Sequence, residues 1–417
     1  MPYTLMVLDP GHFHAALPLR ARHPLLVEDV HVFASDGPGL ERFLALVGRF
    51  NARAEAPTAW RLHVHRSDDP LAALLAARPG EVAVLAGRNQ GKLARISALV
   101  RAGIHVLADK PWVVEPTDAG HLASLAAAPA HAADLMTERH EPGAALFADL
   151  ARTPGVTGGA DPSRGPVLVK QTVHHLAKLV DGVPLIRPSW YFDTRIQGEG
   201  VVDVTTHMID QALLIAGAAD RPLAPGEVVL DGVRRWDTVV PQADFAAITG
   251  LATFPAELAE RLADGVLPLT ANGELGFRCR GLTCQVRAEW RLRDADGAGD
   301  RHRSCFHGLH ADLELDGSAS AGSRLLVRPH REATVVRAAL ADWAHRHAGV
   351  TMSEADGGTA VVPARWSSHD EHFALVLAGF LAGLSAAQPA WDRAALQARY
   401  ALLAEALAAC RPLARGW

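Results

Sequence analysis

The residues with the clearest capacity for chemistry are Lys110, Asp203 and His207. Lys110 lies just after an apolar run, residues 103–107, and is followed by a proline. A lysine at the end of a buried strand is costly unless its ammonium group has a task, so this segment predicts a redox site. Asp203 and His207 are four residues apart. On a helix this spacing places both side chains on one face, where the carboxylate can hold the imidazole or bind substrate hydroxyls.

Each pattern also has a plain structural interpretation. An acid and a histidine four residues apart often form only a surface pair on a helix, and a Lys-Pro dipeptide is common. The presence of both patterns in one chain, in this order, favours the catalytic interpretation.

The composition disfavours several classes of protein. Hydrophobic residues make up 49% and charged residues 21% of the chain, as in globular proteins. The 41 basic and 46 acidic residues form no basic stripe, so we expect no nucleic-acid partner. The apolar run 373–387 is shorter than the ~20 residues of a membrane span. The first residues are typical of a strand rather than a signal peptide, so we expect a cytoplasmic protein without a membrane partner.

The first third of the chain alternates short apolar runs with helical patterns. We predict strands at residues 5–8, 30–34, 82–86 and 105–108, and a helix at residues 15–22 after the first strand. This order predicts an α/β fold with a Rossmann-like, doubly wound parallel sheet, in which ligands bind at the carboxyl ends of the strands.

After residue 135 the apolar pattern changes to longer alternating segments, such as residues 167–173 and 246–254. These predict an α+β domain with a large open, mostly antiparallel sheet. We therefore expect a Rossmann-like dinucleotide-binding domain at 1–135 and an α+β substrate domain at 136–370. Residues 371–417 are expected to form C-terminal helices that pack back on these domains.

The expected phosphate-binding turn departs from the usual G-x-G-x-x-G pattern, because only Gly11 matches within residues 9–14. Main-chain amides near Gly11 and His12 can still bind phosphate, since the N-terminus of the following helix carries partial positive charge. Asp36, at the end of the second strand, is placed to bind the adenosine ribose, which favours NAD. Arg42 could instead bind the extra phosphate of NADP.

Three segments resemble the glucose-fructose oxidoreductase, inositol dehydrogenase and MocA family of nicotinamide-dependent sugar oxidoreductases. Residues 102–111 resemble the family's segment ending in Glu-Lys-Pro, with Asp109 in place of the glutamate. Residues 200–210 resemble its G-x-x-x-D-x-x-x-H helix, and residues 86–89 stand where the family has a strand-end turn.

Three further segments, residues 8–17, 136–141 and 197–200, resemble a subgroup of this family with a distinctive carboxy-terminal domain. Members of that subgroup are similar to enzymes that oxidise a sugar hydroxyl to a keto-glycoside.

The resemblance implies roles for particular residues. His207 would be the general base, Asp203 would orient it or bind the sugar, and Lys110 would steer the hydroxyl and favour the developing alkoxide. The residues expected to bind the cofactor are Gly11, His12, His14, Asp36, Gly87, Asn89, Asp109, Lys110 and Arg139.

Substrate contacts are expected from His174 and Trp190, together with His207, because polar groups and flat aromatic rings suit sugars. For Trp190 a position in the core is an equal alternative. The 21 histidines invite a metal site, and residues 174–175, 203–207 and 369–372 could assemble one. Nothing in the spacing requires a metal and the resemblance implies none, so we predict none.

These observations predict an NAD-dependent oxidoreductase that acts on a ring hydroxyl of a sugar, polyol or glycoside, with position three of a glucoside as the leading choice. The alternative is an NAD-recycling glycosidase or lyase that acts by transient oxidation and elimination. A non-catalytic NAD-binding protein is disfavoured by Lys110, Asp203 and His207. The expected partner is a small carbohydrate, and the resemblance implies a homo-oligomer.

Overall fold

The computed structural model of the protein describes residues 2–180, 183–294, 299–318, 322–385 and 393–410. As far as residue 141 the elements are β1 (Tyr3–Leu8), 3₁₀ helices Phe13–Ala15 and Leu17–Arg20, β2 (Leu26–Ala34), α1 (Pro38–Ala52), β3 (Arg61–Arg66), α2 (Pro70–Ala77), β4 (Val82–Leu85), α3 (Lys92–Arg101), β5 (His105–Ala108), 3₁₀ helix Pro116–His121, α4 (Leu122–Ala126), β6 (Ala132–Asp134) and 3₁₀ helix Thr137–His140.

The remaining elements are α5 (Pro142–Ala151), α6 (Pro154–Thr157), 3₁₀ helix Pro162–Arg164, β7 (Leu168–Ala177), β8 (Leu179–Val180), β9 (Val183–Pro184), 3₁₀ helix Ser189–Phe192, α7 (Thr194–Gln197), α8 (Thr205–Ile215), β10 (Val228–Val240), α9 (Gln242–Thr249), 3₁₀ helix Ala256–Arg261, β11 (Leu267–Cys279), β12 (Leu282–Arg293), β13 (Arg301–His307), β14 (Ala311–Ser318), β15 (Gly322–Pro329), α10 (Ala333–His345), β16 (Thr351–Ala355), β17 (Gly358–Val362), α11 (His369–Ser385) and α12 (Arg393–Cys410).

The chain divides into two compact units. The first contains Met1–Val113, Thr117–Glu141 and Ser367–Tyr400, and the second contains Val114–Pro116, Pro142–Trp366 and Ala401–Trp417. The domain boundaries expected at residues 135 and 370 stay a prediction. Within the described residues, no helix combines the length and the apolar content that crossing a membrane requires.

The first unit is built on a six-stranded parallel sheet in the order β3-β2-β1-β4-β5-β6. The central strands are apolar on both faces, as strands covered by helices on both sides must be; all four residues of β4 are buried. The predicted fold class is confirmed for this sheet, and β3 and β6 are strands that the sequence analysis did not predict.

The connection between β1 and β2 holds no α-helix, so the helix predicted at residues 15–22 is wrong. Two 3₁₀ helices, Phe13–Ala15 and Leu17–Arg20, take its place. Pro18 explains the difference, because a proline inside the expected helix lacks an N–H group and its ring clashes with the carbonyl four residues earlier.

The helix α11 supplies the apolar cover that this short connection lacks. Its buried residues Phe373, Leu377 and Phe380 recur at intervals of three or four, which forms one apolar face. That face belongs to the same hydrophobic core as β1, β2 and α1. The first unit therefore depends on a helix that lies more than 200 residues beyond its last strand in the sequence.

The second unit contains a nine-stranded sheet in the order β10-β11-β12-β7-β13-β14-β15-β17-β16. Neighbouring strands run antiparallel except β12 and β7, which are parallel. The predicted mostly antiparallel sheet is confirmed. Residues 246–254, predicted as a sheet segment, instead include the end of α9. This helix follows Pro241 and is capped after Thr249 by Gly250 in the left-handed conformation.

The contribution of α11 to the first unit can be measured with a matched pair of substitutions. Leu377 is 1% exposed and Leu375, on the same helix, is 46% exposed. Leu377→Ala is expected to lower the free energy of unfolding by about 2–5 kcal/mol, because it removes buried methyl groups and leaves a cavity. Leu375→Ala is expected to change it by less than about 0.5 kcal/mol. Urea unfolding followed by circular dichroism measures both, and equal effects would contradict the packing of α11.

Candidate active site

Two glycines bring the ends of β1 and β4 together at the carboxyl edge of the first sheet. A Cβ atom on Gly87 would lie 2.5 Å from the main-chain oxygen of Asp9, and one on Gly11 would lie 3.2 Å from the Cα of Gly87. The main-chain N–H of His12 donates to the oxygen of Ala86 at 3.1 Å. The turns after the two strands therefore form one continuous surface.

The strand order of the first unit fits a bound dinucleotide. Chain progression reverses between β1 and β4, and ligands of open parallel sheets bind at the carboxyl ends of strands at such a point. Asp36 follows β2 with a side chain that is 74% exposed, and it accepts a hydrogen bond from Arg66 at 2.6 Å. An exposed acid in this place is suited to a ribose. The residues present therefore fit a dinucleotide cofactor.

The helix predicted to supply positive charge at the phosphate-binding turn is absent. The α-helix N-terminus that was expected to follow Gly11 is replaced by the short 3₁₀ helix Phe13–Ala15. The side chains of His12 and His14 lie in its place.

Asp109 forms a polar cluster with these two histidines, which we call the Asp109 cluster. Its Oδ2 atom lies 2.8 Å from His14 Nδ1 and 3.7 Å from His12 Nδ1, and its side chain is 10% exposed. Burial by itself raises the pKa of this carboxyl, but His14, Lys92 and His12 outweigh burial and hold the pKa well below its usual range. The carboxylate of Asp109 is therefore ionised at neutral pH.

Lys92 is a buried lysine that the sequence analysis missed. It begins α3 and is 2% exposed, and its Nζ donates to Asn89 Oδ1 and, at 2.9 Å, to the main-chain oxygen of Asp109. Lys92 thereby joins the predicted residues Asn89 and Asp109. The signal in the sequence was a lysine three residues after Asn89, at the start of a helix that begins on the sheet edge.

The turn that carries Lys110 is supported by α12. Lys110 is half-buried and is joined to the next residue by a cis peptide bond. Trp112 is fully buried and stacks on Tyr400 of α12 with ring centroids 5.1 Å apart. Tyr400 in turn donates a hydrogen bond to Asp134 at 2.9 Å. Arg139, the remaining predicted cofactor residue, is half-buried in the 3₁₀ helix after β6.

In the second unit, the turn that carries Asp203 is pressed against β11. The N–H of Gly200 donates to the oxygen of Thr270 at 3.0 Å, and a Cβ atom on Gly200 would lie 2.2 Å from the oxygen of Ala271. The contact holds the following residues in a turn, so α8 begins two residues after Asp203. The placement of Asp203 and His207 on one helix is thus corrected, because the pair spans the start of α8.

A small cavity in the second unit is bordered by Asp203, Tyr191 and Trp290. The guanidinium of Arg187 lies 4.5 Å from the ring centre of Tyr191 and 5.3 Å from that of Trp290. Burial raises the pKa of Tyr191 well above its usual value, so its hydroxyl stays protonated. The predicted residue Trp190 is half-buried, and it is not among the described residues that line this cavity.

His174 is held in place from two sides. Its Nδ1 lies 3.1 Å from Asp300 Oδ2, and its ring stacks on Trp290 with centroids 4.8 Å apart. Lys178 Nζ also donates to Asp300 at 2.9 Å. Burial raises the pKa of Asp300, but His174 and Lys178 outweigh it and hold the pKa well below its usual range. The ionised carboxylate therefore fixes the imidazole of His174 beside Trp290.

The sequence analysis missed Asp300 and Trp290. Asp300 lies 126 residues from His174, and no local pattern marks it. Trp290 lies on the alternating buried face of β12, where it looks like any core residue until the pairing with β7 is known.

The fit of Gly200 against β11 leads to a prediction about stability. Gly200→Ala is expected to lower the free energy of unfolding by about 1–3 kcal/mol, because the added methyl group would overlap the main chain of β11. Gly232→Ala is the matched control, since nothing lies within 4 Å of a Cβ atom there. Thermal unfolding compares the two variants, and an unchanged Gly200→Ala protein would contradict the tight contact.

The charge of Asp300 leads to a pH-dependent prediction. Asp300→Asn is expected to lower the free energy of unfolding at pH 7 by about 1–3 kcal/mol, because His174 and Lys178 lose an ionised partner. The pKa of Asp300 is lower in the folded than in the unfolded protein. The wild type is therefore more stable than Asp300→Asn above about pH 4, and this difference in the free energy of unfolding decreases as the pH falls further.

Chemical unfolding at neutral and acidic pH measures this advantage of the wild type. Asp316→Asn is the control, because Asp316 is a 58% exposed acid on the same sheet. If the difference in the free energy of unfolding between wild type and Asp300→Asn stayed constant down to about pH 3, Asp300 would not be a stabilising carboxylate.

Comparison with known proteins gives a family. Residues 148–411 match the family model described as "Putative oxidoreductase C terminal domain". The comparison with curated proteins gave no match.

Solved structures with the same fold cover nearly the whole chain. A "putative oxidoreductase" from Parabacteroides merdae is 32% identical, with a TM-score of 0.91 over 98% of this chain and 97% of that one. Levoglucosan dehydrogenase is 15% identical, with a TM-score of 0.62 over 98% and 96% of the two chains. UDP-N-acetylglucosamine 3-dehydrogenase from Acidithiobacillus ferrooxidans is 14% identical, with a TM-score of 0.56 over 98% of each chain. The chain therefore belongs to the glucose-fructose oxidoreductase, inositol dehydrogenase and MocA family of oxidoreductases, in the group with this C-terminal domain, as the sequence predicted.

Proposed function

We propose that this protein catalyses the NAD-dependent oxidation, or the reverse reduction, of a ring hydroxyl on a sugar, polyol or glycoside. The observation that carries the proposal is the carboxyl edge of the first sheet, where the Asp109-Lys110 turn follows β5 beside the turns after β1 and β4. A lysine so placed can act on a hydroxyl group next to a bound dinucleotide.

The choice of NAD as the cofactor is supported by Asp36 and by the related structures. Asp36 is an exposed acid at the end of β2, which suits the ribose hydroxyls of NAD and would repel the extra phosphate of NADP. Levoglucosan dehydrogenase, which shares the fold, was solved with NADH and levoglucosan. When bound, NAD supplies the hydride acceptor. The proposed cofactor residues are Gly11, His12, His14, Asp36, Gly87, Asn89, Asp109, Lys110 and Arg139.

Three side chains are proposed to act on the substrate. His207 takes the proton of the hydroxyl group as general base, and Asp203 orients the imidazole or binds a second hydroxyl. Lys110 donates to the same hydroxyl oxygen and stabilises its developing negative charge. His174 and Trp190 are proposed to contact the sugar.

A carbohydrate substrate is supported by the surroundings of His174 and by the related enzymes. The face of Trp290 and the nearby polar groups suit the apolar face and the hydroxyls of a pyranose. Levoglucosan dehydrogenase and UDP-N-acetylglucosamine 3-dehydrogenase both act on sugars, the second at position three. Position three of a glucoside is therefore the leading choice. A cytoplasmic location and a homo-oligomer stay predictions.

A redox-neutral glycosidase or lyase is the second candidate, and the pairing of His174 with Asp300 favours it. Elimination from a keto-glycoside needs a base for the acidified C–H proton and an acid for the departing oxygen, besides the base that serves oxidation. An imidazole held by an ionised carboxylate is suited to such proton transfer.

Incubation of the purified protein with NAD and a panel of glycosides tests both candidates. Nicotinamide absorbance and product mass are followed together. Reduced cofactor formed in equal amount with a keto-sugar is expected for the proposed dehydrogenase. Released aglycone without net reduction would favour the second candidate, and cofactor binding without turnover of any glycoside would contradict both.

The assignment of the base is tested by His207→Asn. The variant is expected to lose about 10²- to 10⁴-fold in kcat and to retain its affinity for NAD, because it loses only proton transfer. His63→Asn, a change at a surface histidine that is 48% exposed, is the control and should keep wild-type kcat. A His207→Asn enzyme with normal turnover would remove His207 from the proposal.

A further inference from the structure

The Asp109 cluster has the composition and spacing of a metal site. One ligand atom from each of His12, His14 and Asp109 lies within 4.8 Å of the others. The three side chains are 24%, 14% and 10% exposed, so the donors are largely shielded from solvent. Two imidazoles and one carboxylate are a donor set that transition-metal ions such as Zn²⁺, Co²⁺ and Mn²⁺ accept.

Both imidazoles of the Asp109 cluster face one carboxylate oxygen. Both imidazoles direct Nδ1 at the same oxygen of Asp109, but only the His14 contact, at 2.8 Å, is a hydrogen bond. The second nitrogen, on His12, is 3.7 Å away, which is too far for a hydrogen bond. An ion among the three atoms would bind all of them at once.

The scaffold holds the donors in place before any ion arrives. Asp109 is fixed by its main-chain N–H, which donates to Leu85 at 2.7 Å. The ring of His14 packs on Phe373 of α11 with centroids 4.5 Å apart. The rings of His12 and His14 are nearly perpendicular, with centroids 4.1 Å apart. The ring of His369, at the start of α11, has its centroid 6.1 Å from that of His14.

We propose that His12, His14 and Asp109 bind one divalent transition-metal ion per chain. Three protein ligands leave at least one coordination position for water or for an oxygen of a bound ligand. The three ligands are also among the proposed cofactor residues, but the metal site is inferred from their own spacing and does not rest on the proposed function. The sequence predicted no metal; Asp109, which lies 95 residues from His14 in the sequence, is brought beside it by the fold.

Metal titration of chelator-treated protein tests the proposal. Calorimetry with Zn²⁺ is expected to give one tight site per chain, with proton release because the ligands must be deprotonated. Co²⁺ is expected to give the visible absorption of a low-coordinate nitrogen and oxygen site. His14→Gln and Asp109→Asn are each expected to weaken binding by at least about 100-fold.

The matched control is His65→Gln, which removes a half-buried imidazole outside the Asp109 cluster, with its Nε2 3.0 Å from His31 Nδ1. This variant should bind Zn²⁺ at the tight site as the wild type does. Thermal unfolding checks that each variant is folded. If Asp109→Asn is not folded, the metal affinity of His14→Gln decides the test. Absence of a stoichiometric site, or a site unaffected by His14→Gln, would overturn the proposal. NAD titration of the metal-free protein reports on the proposed function separately.

Discussion

The packing of α11 into the core of the first unit is the interaction on which the rest of that unit depends. A parallel sheet needs apolar cover on both faces. The short, proline-containing connection after β1 provides only a few buried side chains, and Phe373, Leu377 and Phe380 of α11 complete the core. The same helix places Phe373 against His14, while α12 supports the Lys110 turn through Tyr400. Helices from the end of the chain thus hold two sides of the proposed cofactor edge.

Both units use a largely buried, ionised carboxylate to fix imidazoles. Asp109 faces His12 and His14 in the first unit, and Asp300 faces His174 in the second. In each case nearby basic groups overcome the cost of burying the charge and keep the pKa of the acid low. Such a carboxylate sets the orientation of a ring. That property is useful where imidazoles must bind an ion or move a proton.

The sequence alone predicts the elements that depend on the order of nearby apolar and polar residues. The central strands β1, β2, β4 and β5 and the Lys110 turn follow from apolar runs and a strand-end motif, and the sheet type of each unit follows from the length and alternation of those runs. Pro18 disfavours the α-helix predicted at residues 15–22, and the end of α9 occupies part of the sheet segment predicted at residues 246–254. Asp300 and Trp290 could not be predicted, because only the pairing of β7 with β13 and β12 brings them beside His174. The sequence names His12, His14 and Asp109 as cofactor residues, but only the fold shows that they form one cluster.

The most direct test of the account is the equilibrium binding of NAD to the purified protein, measured by calorimetry. We expect one NAD to bind per chain at the carboxyl edge of the first sheet, although the turn after β1 lacks the full glycine-rich motif. We further expect weaker binding by Asp36→Ala, since the exposed acid after β2 is assigned to the ribose. Failure of the folded wild-type protein to bind either NAD or NADP would contradict the assignment of the first unit as a dinucleotide-binding domain.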